Sequence, residues 1–293
     1  MTHIPVLTNE VLESLNPAPN ENFVDCTVGQ GGHTKLILEK TSPNGKVLGI
    51  DLDPKQIENC KNNLSEFKDR LILVNDSYSN LEKIITEQNF KADGILLDLG
   101  MSSWQIGESE KGFTFLKDEP LDMRYNKNNE LTAEEIVNTW PEKEIEKILE
   151  EYGEENFAKK IAKNIIEQRK IEKIKSTFQL VEVIKDATPS NYWRGKIHYA
   201  TRTFQALRIA VNDELNNLIK VLPQVLSILS SGGRIAIISF HSLEDRVVKN
   251  FLRDSEKSGI IKILNKKPII AEITELGINP RSRSAKLRAA IKI

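Results

Sequence analysis

Short apolar runs alternate with amphipathic segments over residues 23–100. Four runs rich in valine, isoleucine and leucine predict β-strands, and the segments between them carry apolar residues at helical spacing. The predicted strands cover residues 23–28, 46–53, 70–75 and 93–100, and the predicted helices cover residues 34–40, 54–67 and 78–88. This alternation predicts an α/β fold in which helices cover both faces of a parallel sheet.

Helical periodicity without a strand pattern runs from residue 131 to residue 187. Ser176 and Gln179 have the spacing of a capping box at the start of one of these helices. The alternating pattern then returns, with a helix over 212–229, a strand over 232–241, a helix over 242–253 and a closing strand over 286–293. We therefore expect an α/β domain in two parts, residues 1–105 and 199–293, interrupted by an inserted helical domain at residues 106–198.

The composition narrows the class of protein. The chain has 293 residues, 39% of them hydrophobic, which is enough for one large core or for one domain with an insert. The formal net charge of -1 gives no overall basic field, so nucleic-acid binding must come from local patches. Cys26 and Cys60 form no Cys-x-x-Cys pair, and neither a disulfide framework nor a metal site is predicted. Because neither a signal peptide nor a membrane-spanning run is visible, we expect a soluble, cytoplasmic protein with no membrane partner.

A glycine-rich turn follows the first predicted strand and precedes a predicted helix. Gly29, Gly31 and Gly32 allow a ligand to approach the backbone at a helix N-terminus, where the amides are free. Dinucleotides and S-adenosylmethionine both use such a turn. A dinucleotide fingerprint has a third glycine where Thr34 stands, whereas the carboxylate of Asp25 suits a cationic ligand such as S-adenosylmethionine. The spacing therefore favours S-adenosylmethionine over a dinucleotide.

The next three predicted strands also end in residues that suit a nucleoside ligand. Asp51 and Asp53 follow the second strand, where a carboxylate can accept both ribose hydroxyls. Tyr78 follows the third strand, where an aromatic ring can stack on adenine, and Asp98 ends the fourth. Taken singly, each carboxylate could instead cap a helix, and Tyr78 could be a packing residue. The four strand ends in order favour a binding crevice at this edge of the sheet.

Other polar residues have two interpretations each. His241, in the motif "SFHSLEDR", could be a base or could cap the next helix, and the spacing does not decide. Asp122 and Arg124 are best explained as a structural ion pair. Arg281 and Arg283 lie in a run without acidic residues, which suits phosphate contacts, although exposed arginines are commonly solvated or paired with carboxylates.

Nine motifs along nearly the whole chain resemble those of the bacterial 16S ribosomal RNA cytosine-N4 methyltransferases, the MraW or small-subunit methyltransferase H family. They are, in order, "HIPVLTNEVLESL", "DCTVGQGGHT", "DGILLDLGMSS", "GFTF", "PLDMR", "YGEE", "TRTFQALRIAVNDEL", "ISFHSLEDR" and "NPRSRSAKLR". Four positions depart from the family pattern. Trp104 and Tyr199 replace prolines, Tyr78 replaces a phenylalanine, and Lys111 replaces an arginine.

The resemblance implies a Rossmann-like class I S-adenosylmethionine-dependent methyltransferase with an inserted all-helical domain that helps to recognise RNA. It implies S-adenosylmethionine as the cofactor. It also implies methylation of the exocyclic N4 amine of a decoding-centre cytidine in 16S ribosomal RNA, within the 30S subunit. By motif match, the cofactor contacts fall on Gly31, Gly32, His33, Asp51, Tyr78, Asp98 and Gln105.

The resemblance leaves the catalytic base and the oligomeric state open. Amino-methyltransferases often carry an Asp/Asn-Pro-Pro-aromatic motif after the fourth strand, and this chain has "DLGMSS" there. The candidates for catalysis are Asp98, Ser102, Ser103 and His241. The candidates for contact with RNA are Arg124, Arg202, Arg281 and Arg283. Two rival functions are a non-catalytic RNA-binding protein that keeps S-adenosylmethionine as a structural ligand and an NAD-dependent oxidoreductase, which the glycine turn disfavours.

Overall fold

A computed structural model describes residues 4–293, which contain one seven-stranded sheet and thirteen helices. The strands are β1 Phe23–Asp25, β2 Val47–Asp51, β3 Leu71–Asn75, β4 Gly94–Asp98, β5 Arg234–Ser239, β6 Ile261–Ile263 and β7 Lys286–Lys292. Their order in the sheet is β3-β2-β1-β4-β5-β7-β6. The first five strands are parallel, and β7 pairs antiparallel with both β5 and β6. The predicted α/β fold is confirmed.

The helices follow the predicted pattern, with local differences. They are α1 Thr8–Leu15, α2 Gly32–Lys40, α3 Pro54–Asn63, α4 Leu81–Glu87, α5 Ser103–Gly107, α6 Ala133–Thr139, α7 Glu142–Glu151, α8 Ala158–Ile171, α9 Thr177–Ala187, α10 Thr201–Asn212, α11 Glu214–Ile228, α12 Ser242–Lys257 and α13 Ile273–Ile278. Short 3-10 turns occupy Ser65–Phe67, Tyr78–Asn80, Tyr192–Arg194 and Pro280–Ser284. Within residues 4–293 no helix is both long and apolar enough to cross a membrane.

The chain divides into two compact units. The first comprises residues up to Gly100 and from Leu215 onward, and it contains the sheet. The second comprises Met101–Glu214 and contains no strand among its described residues. The sequence places the insert at 106–198, whereas this unit also includes α10, because Phe204, Leu207 and Val211 pack into the helical core.

Alternating side chains of the central strands feed two apolar layers in the first unit, as the two-residue period of a strand requires. Ile95 and Leu97 of β4 point to the face that α4, α11 and α12 cover, and Leu96 points to the face that α1, α2 and α3 cover. All three side chains are fully buried. Because both faces are covered, the residues at the strand ends are the ones left for ligand chemistry.

The core of the helical unit combines α6 to α10 with the loop before them. Phe113, Leu121 and Met123 of that loop are buried against the helices. At the start of α9, the Ser176 hydroxyl accepts the amide of Gln179, and the Gln179 side chain accepts the amide of Ser176. The predicted capping box is therefore present.

A mostly buried ion pair joins the closing strand β7 to α12. Arg288, 8% exposed, donates from Nε to Asp245 Oδ1 at 2.7 Å, and Lys286 Nζ lies 3.6 Å from Asp245 Oδ2. Burial raises the pKa of Asp245, but the hydrogen bond and charge of Arg288 and the charge of Lys286 outweigh it, and the net pKa is lowered. Arg281 and Arg283 are exposed and make no ion pair within residues 4–293.

Arg288→Ala should lower the free energy of unfolding by about 3 kcal/mol, because it leaves a mostly buried carboxylate without its main partner. Urea unfolding at neutral pH measures the loss, and Arg283→Ala, at an exposed site, should change it by less than about 0.5 kcal/mol. Since the pKa of Asp245 is depressed in the folded state, the stabilisation exists above the ordinary aspartate value of 3.8 and is lost as the pH falls through the folded value. Equal effects of the two substitutions would contradict this role for Arg288.

Candidate functional site

The carboxyl ends of β1, β2 and β4 lie side by side at one edge of the sheet. β1 pairs with β2 on one side and with β4 on the other, so the strand order reverses between β1 and β4. Ligands of open α/β sheets bind at such a reversal. Asp25, Asp51 and Asp98 are the last residues of these three strands, and the binding crevice expected at this edge stays a prediction.

The glycine turn owes its composition to backbone conformation and to packing. Gly29 and Gly31 have φ values of 52° and 89°, in the left-handed region. A Cβ on Gly31 would lie 2.6 Å from Leu64 Cδ1, and one on Gly32 would lie 3.0 Å from Pro5 Cγ. Only glycine fits Gly31 without strain, and α2 begins immediately after it.

The Asp25 carboxylate holds this turn together from inside the protein. It is 2% exposed, and it accepts the Thr34 hydroxyl at 2.7 Å and the Thr27 amide at 3.2 Å. Burial raises the pKa of Asp25, while these hydrogen bonds and the nearby His33 oppose the rise. Thr34, which stands where a dinucleotide-binding turn has glycine, is therefore required by the carboxylate that precedes the turn.

Asp51 joins the end of β2 to the same turn. Its Oδ2 accepts the Gly29 amide and its Oδ1 accepts the Asp53 amide, both at 2.9 Å. Burial raises the pKa of Asp51 to about 7, against the lowering effect of these two bonds. Asp53 caps α3 by accepting the amide of Lys55, so one of the two carboxylates in this motif serves the helix-capping alternative.

His33 and Asp98 form a buried polar pair with unused capacity. His33 Nε2 lies 3.5 Å from Asp98 Oδ2, and the two side chains are 6% and 18% exposed. Within residues 4–293, His33 Nε2 and Asp98 Oδ1 have no hydrogen-bond partner. Buried polar atoms without partners are uncommon and mark places where a ligand can supply the missing bonds. The amide of Asp98 donates to the Thr27 hydroxyl at 2.6 Å, a supporting contact that sequence reasoning missed.

Tyr78 lies in the 3-10 turn that follows β3. It is half-buried, and it packs against the apolar layer that contains α4. Tyr78 is therefore a packing residue in this structure, as one of its two interpretations expects. It lies at the same edge of the sheet as Asp51.

Gln105 and Ser102 belong to the helical unit. Ser102 caps α5: its hydroxyl accepts the amide of Gln105 at 3.2 Å, and its own amide donates to Gln105 Oε1 at 3.0 Å. This capping box is an addition to the elements predicted from the sequence, although Ser-x-x-Gln is visible in the chain. The side chain of Ser103 lies outside the described part of the structure.

His241 caps α12. Its Nδ1 accepts the amide of Glu244 at 3.4 Å, and Glu244 Oε2 accepts the amides of Phe240 and His241 at 2.8 and 3.3 Å. His241 Nε2 also lies 3.2 Å from Glu244 Oε1. The helix-capping interpretation of "SFHSLEDR" is thus present, and the buried Glu244, in the first turn of α12, completes the capping box.

The arginines of the helical unit make contacts within it. Arg124 donates from Nε and Nη2 to Asp122 at 2.9 and 2.8 Å and from Nη1 to two backbone carbonyls. Burial raises the pKa of Asp122, and the hydrogen bonds from Arg124 more than reverse this, so the pKa is lowered. Arg202 donates to the carbonyl of Glu154. The preferred interpretation of Asp122 and Arg124 as an ion pair is present.

The chain is similar to known proteins over its whole length. A model of the MraW methylase family matches residues 1–293. The chain is 47% identical over 308 residues to ribosomal RNA small subunit methyltransferase H of Heliobacterium mobile, with 99% of each chain covered. It is 47% identical over 296 residues to the protein of that name from Kosmotoga olearia, with 100% of this chain and 98% of the other covered. A crystallised rRNA methylase from Streptococcus thermophilus is 11% identical to this chain, with a TM-score of 0.45. The match covers 98% of this chain and 93% of the methylase.

Thr34→Val should lower the free energy of unfolding by about 1–3 kcal/mol, because it removes a hydrogen-bond donor from a buried carboxylate while keeping the branched shape. Thr34→Ser keeps the donor and removes only a methyl group, so its cost should be about 1 kcal/mol. Urea unfolding at neutral pH compares the two. A serine variant as unstable as the valine variant would show that packing, not the bond to Asp25, explains Thr34.

Proposed function

The chain belongs to the MraW methylase family and is an S-adenosylmethionine-dependent methyltransferase of ribosomal RNA, and we propose that it methylates the exocyclic N4 amine of a decoding-centre cytidine in 16S RNA. The observation that carries this proposal is the family match over residues 1–293, including the motifs at the strand ends. The proposed substrate is the RNA within the 30S subunit, in the cytoplasm.

The donor set at the strand ends fits S-adenosylmethionine. In the proposed complex, Asp51 accepts the ribose hydroxyls and Tyr78 flanks the adenine. Gly31 and Gly32 let the cofactor approach the start of α2. His33, Asp98 and Gln105 complete the proposed contacts. The unused Nε2 of His33 supports this assignment, because a bound ligand would supply its missing partner.

The chemistry that the cofactor supplies is an electrophilic methyl group on a sulfonium. The protein must align the cytosine amine with it for in-line displacement, and alignment contributes several kcal/mol to catalysis. The amine is a weak nucleophile because its lone pair is delocalised into the ring. A nearby acceptor therefore helps by binding the amine proton that leaves as the new bond to carbon forms.

Asp98 is the strongest of the four catalytic candidates. Its Oδ1 is buried and accepts no hydrogen bond within the described residues, so it can accept one from the amine. His241 and Ser102 already cap helices. We propose that Asp98 holds the amine and takes its proton, while His33 stays beside the other carboxylate oxygen.

The RNA itself meets exposed cations in this proposal. Arg281 and Arg283 are exposed and unpaired among residues 4–293, and they suit phosphate contacts. Arg202 is a further candidate. Arg124 has four of its donors bound to its own unit, so its contribution to RNA binding is the smallest.

Cells that lack this protein should lose N4-methylcytidine from 16S RNA, and nucleoside mass spectrometry measures the loss. The wild-type gene should restore the nucleoside, and Asp98→Asn should not, because an amide is a much weaker proton acceptor. A protein that only binds the ribosome would leave the nucleoside at its full level, and that result would contradict the proposed function.

Asp51→Ala should weaken S-adenosylmethionine binding about tenfold or more, because hydrogen bonds to a charged acceptor are worth about 1.5–3 kcal/mol each. In the protein without cofactor, the carboxyl of Asp51 has a pKa of about 7. Hydrogen bonds from the ribose hydroxyls favour its ionised form. Below that pH the group must release a proton on binding, so the affinity should fall by up to about tenfold per pH unit. Calorimetry at several pH values tests both effects.

Asp51→Asn is the matched control for this pH dependence, since it keeps the shape and removes the titration. Its affinity should be lower than that of the wild type at high pH and nearly independent of pH. If the wild type and Asp51→Asn show the same pH dependence, the titrating group is not Asp51.

A further inference from the structure

A partly exposed row of four aromatic rings lies on the helical unit, one from the loop before α6 and three from the segment between α9 and α10. We name the four residues Phe115, Trp193, His198 and Tyr199 the aromatic strip. The rings of Phe115 and His198 stack at 4.5 Å between centroids, those of His198 and Tyr199 stack at 4.2 Å, and Trp193 lies 6.1 Å from Tyr199. Three rings are thus close to parallel, and the indole lies at one end of the row.

The aromatic strip is exposed at two of its rings, whereas Phe115 and Tyr199 are half-buried and pack against the helical core. Trp193 is 38% exposed, and His198 is exposed as well. Burial lowers the pKa of His198, which keeps the ring uncharged for stacking at neutral pH. Contiguous exposed aromatic surface is characteristic of binding sites.

Hydrogen bonds fix the segment that carries these rings. Trp193 Nε1 donates to the Thr188 hydroxyl at 3.0 Å, which sets the plane of the indole. The neighbouring Tyr192 donates its hydroxyl to the Glu155 carboxylate, 2.8 Å from Oε2. A ligand that stacks on the strip therefore meets a surface that is already ordered, which reduces the entropy lost on binding.

Within the described residues, unpaired positive charge lies on the segment that carries three rings of the strip. Lys185 Nζ lies 5.9 Å from the centroid of the Trp193 ring, although it also pairs with Glu182. Arg194 and Lys196, on the same segment, are exposed and make no ion pair within residues 4–293. Residues 187–202 contain no acidic residue. This charge favours a polyanion over an apolar protein helix as the occupant.

We propose that the aromatic strip is a stacking platform for unpaired bases of the RNA substrate, with Arg194 and Lys196 on the adjoining phosphates. Aromatic side chains beside cations are the common means of holding single-stranded nucleic acid, because every base offers a π-face. The inference rests on the proposed function for the identity of the RNA. It adds a binding site on the helical unit that is separate from the cofactor residues and from Arg281 and Arg283.

The test measures binding of a fluorescent single-stranded oligoribonucleotide of cytidine and uridine to the full chain by anisotropy. The double variant Trp193→Leu/Tyr199→Leu should bind it about tenfold or more weakly, since each stacked base contributes substantially. Trp193→Phe keeps an aromatic face and should stay within about threefold of the wild type. Phe178→Leu, at an exposed aromatic of α9 that makes no ring contact among the described residues, should bind like the wild type.

A second pair of measurements separates stacking from charge. Arg194→Ala/Lys196→Ala should reduce the slope of log affinity against log salt by roughly 0.7 per lost contact, whereas the leucine variant should keep the slope. Annealing the oligonucleotide to its complement should remove the difference between the wild type and the leucine variant, because paired bases present no free face. S-adenosylmethionine affinity should be unchanged in each variant, and far-ultraviolet circular dichroism shows that the helical unit of each is folded.

The platform is wrong if the leucine variant binds the single strand as tightly as the wild type does, or if it loses affinity for the duplex equally. Neither result bears on the methylated nucleoside. The two proposals can also fail separately. If the leucine variant loses affinity for the single strand, but cells lacking the protein keep N4-methylcytidine in 16S RNA, the platform is supported and the proposed function is rejected.

Discussion

The site depends on one buried carboxylate, that of Asp25. A carboxylate withdrawn from water is unstable unless its own chain supplies hydrogen-bond donors. Thr34 and Thr27 supply them, so α2 must begin where the Thr34 hydroxyl reaches the end of β1. The connection that remains is short enough to need left-handed backbone at Gly29 and Gly31. The same placement puts His33 beside Asp98 and brings the Gly29 amide onto Asp51.

Much of this arrangement could be predicted from the sequence, because strand–helix alternation and the ends of parallel strands follow from local pattern. The partner of each polar group could not be predicted. The spacing indicates that Asp25 suits a cationic ligand, but it does not show that the same carboxylate accepts bonds from Thr34 and Thr27. His241 had two interpretations because a spacing does not show where a ring nitrogen points.

In the helical unit, too, contacts between residues close in the sequence could be predicted, whereas contacts between residues far apart could not. Ser176 and Gln179 were predictable because a capping box involves residues three positions apart. The stacking of Phe115 on His198 was not, because it joins residues far apart in the chain through a segment that has no regular periodicity. Arg124 was correctly seen beside Asp122, but the carbonyls of Lys127 and Asn129 that bind it depend on the loop conformation.

The helical unit lies between β4 and β5 in the order of the chain, and this order determines when each strand can join the sheet during translation. The growing chain exposes β1 to β4 first, and the open edge of β4 must wait for β5 until the intervening residues have left the ribosome. The helical core is built from a continuous stretch of chain, so it can pack during that wait. The delay recurs at β7, which inserts between β5 and β6 although it follows both in the chain. Three of the seven strands therefore join the sheet late, and the nascent protein carries unpaired strand edges for most of its synthesis.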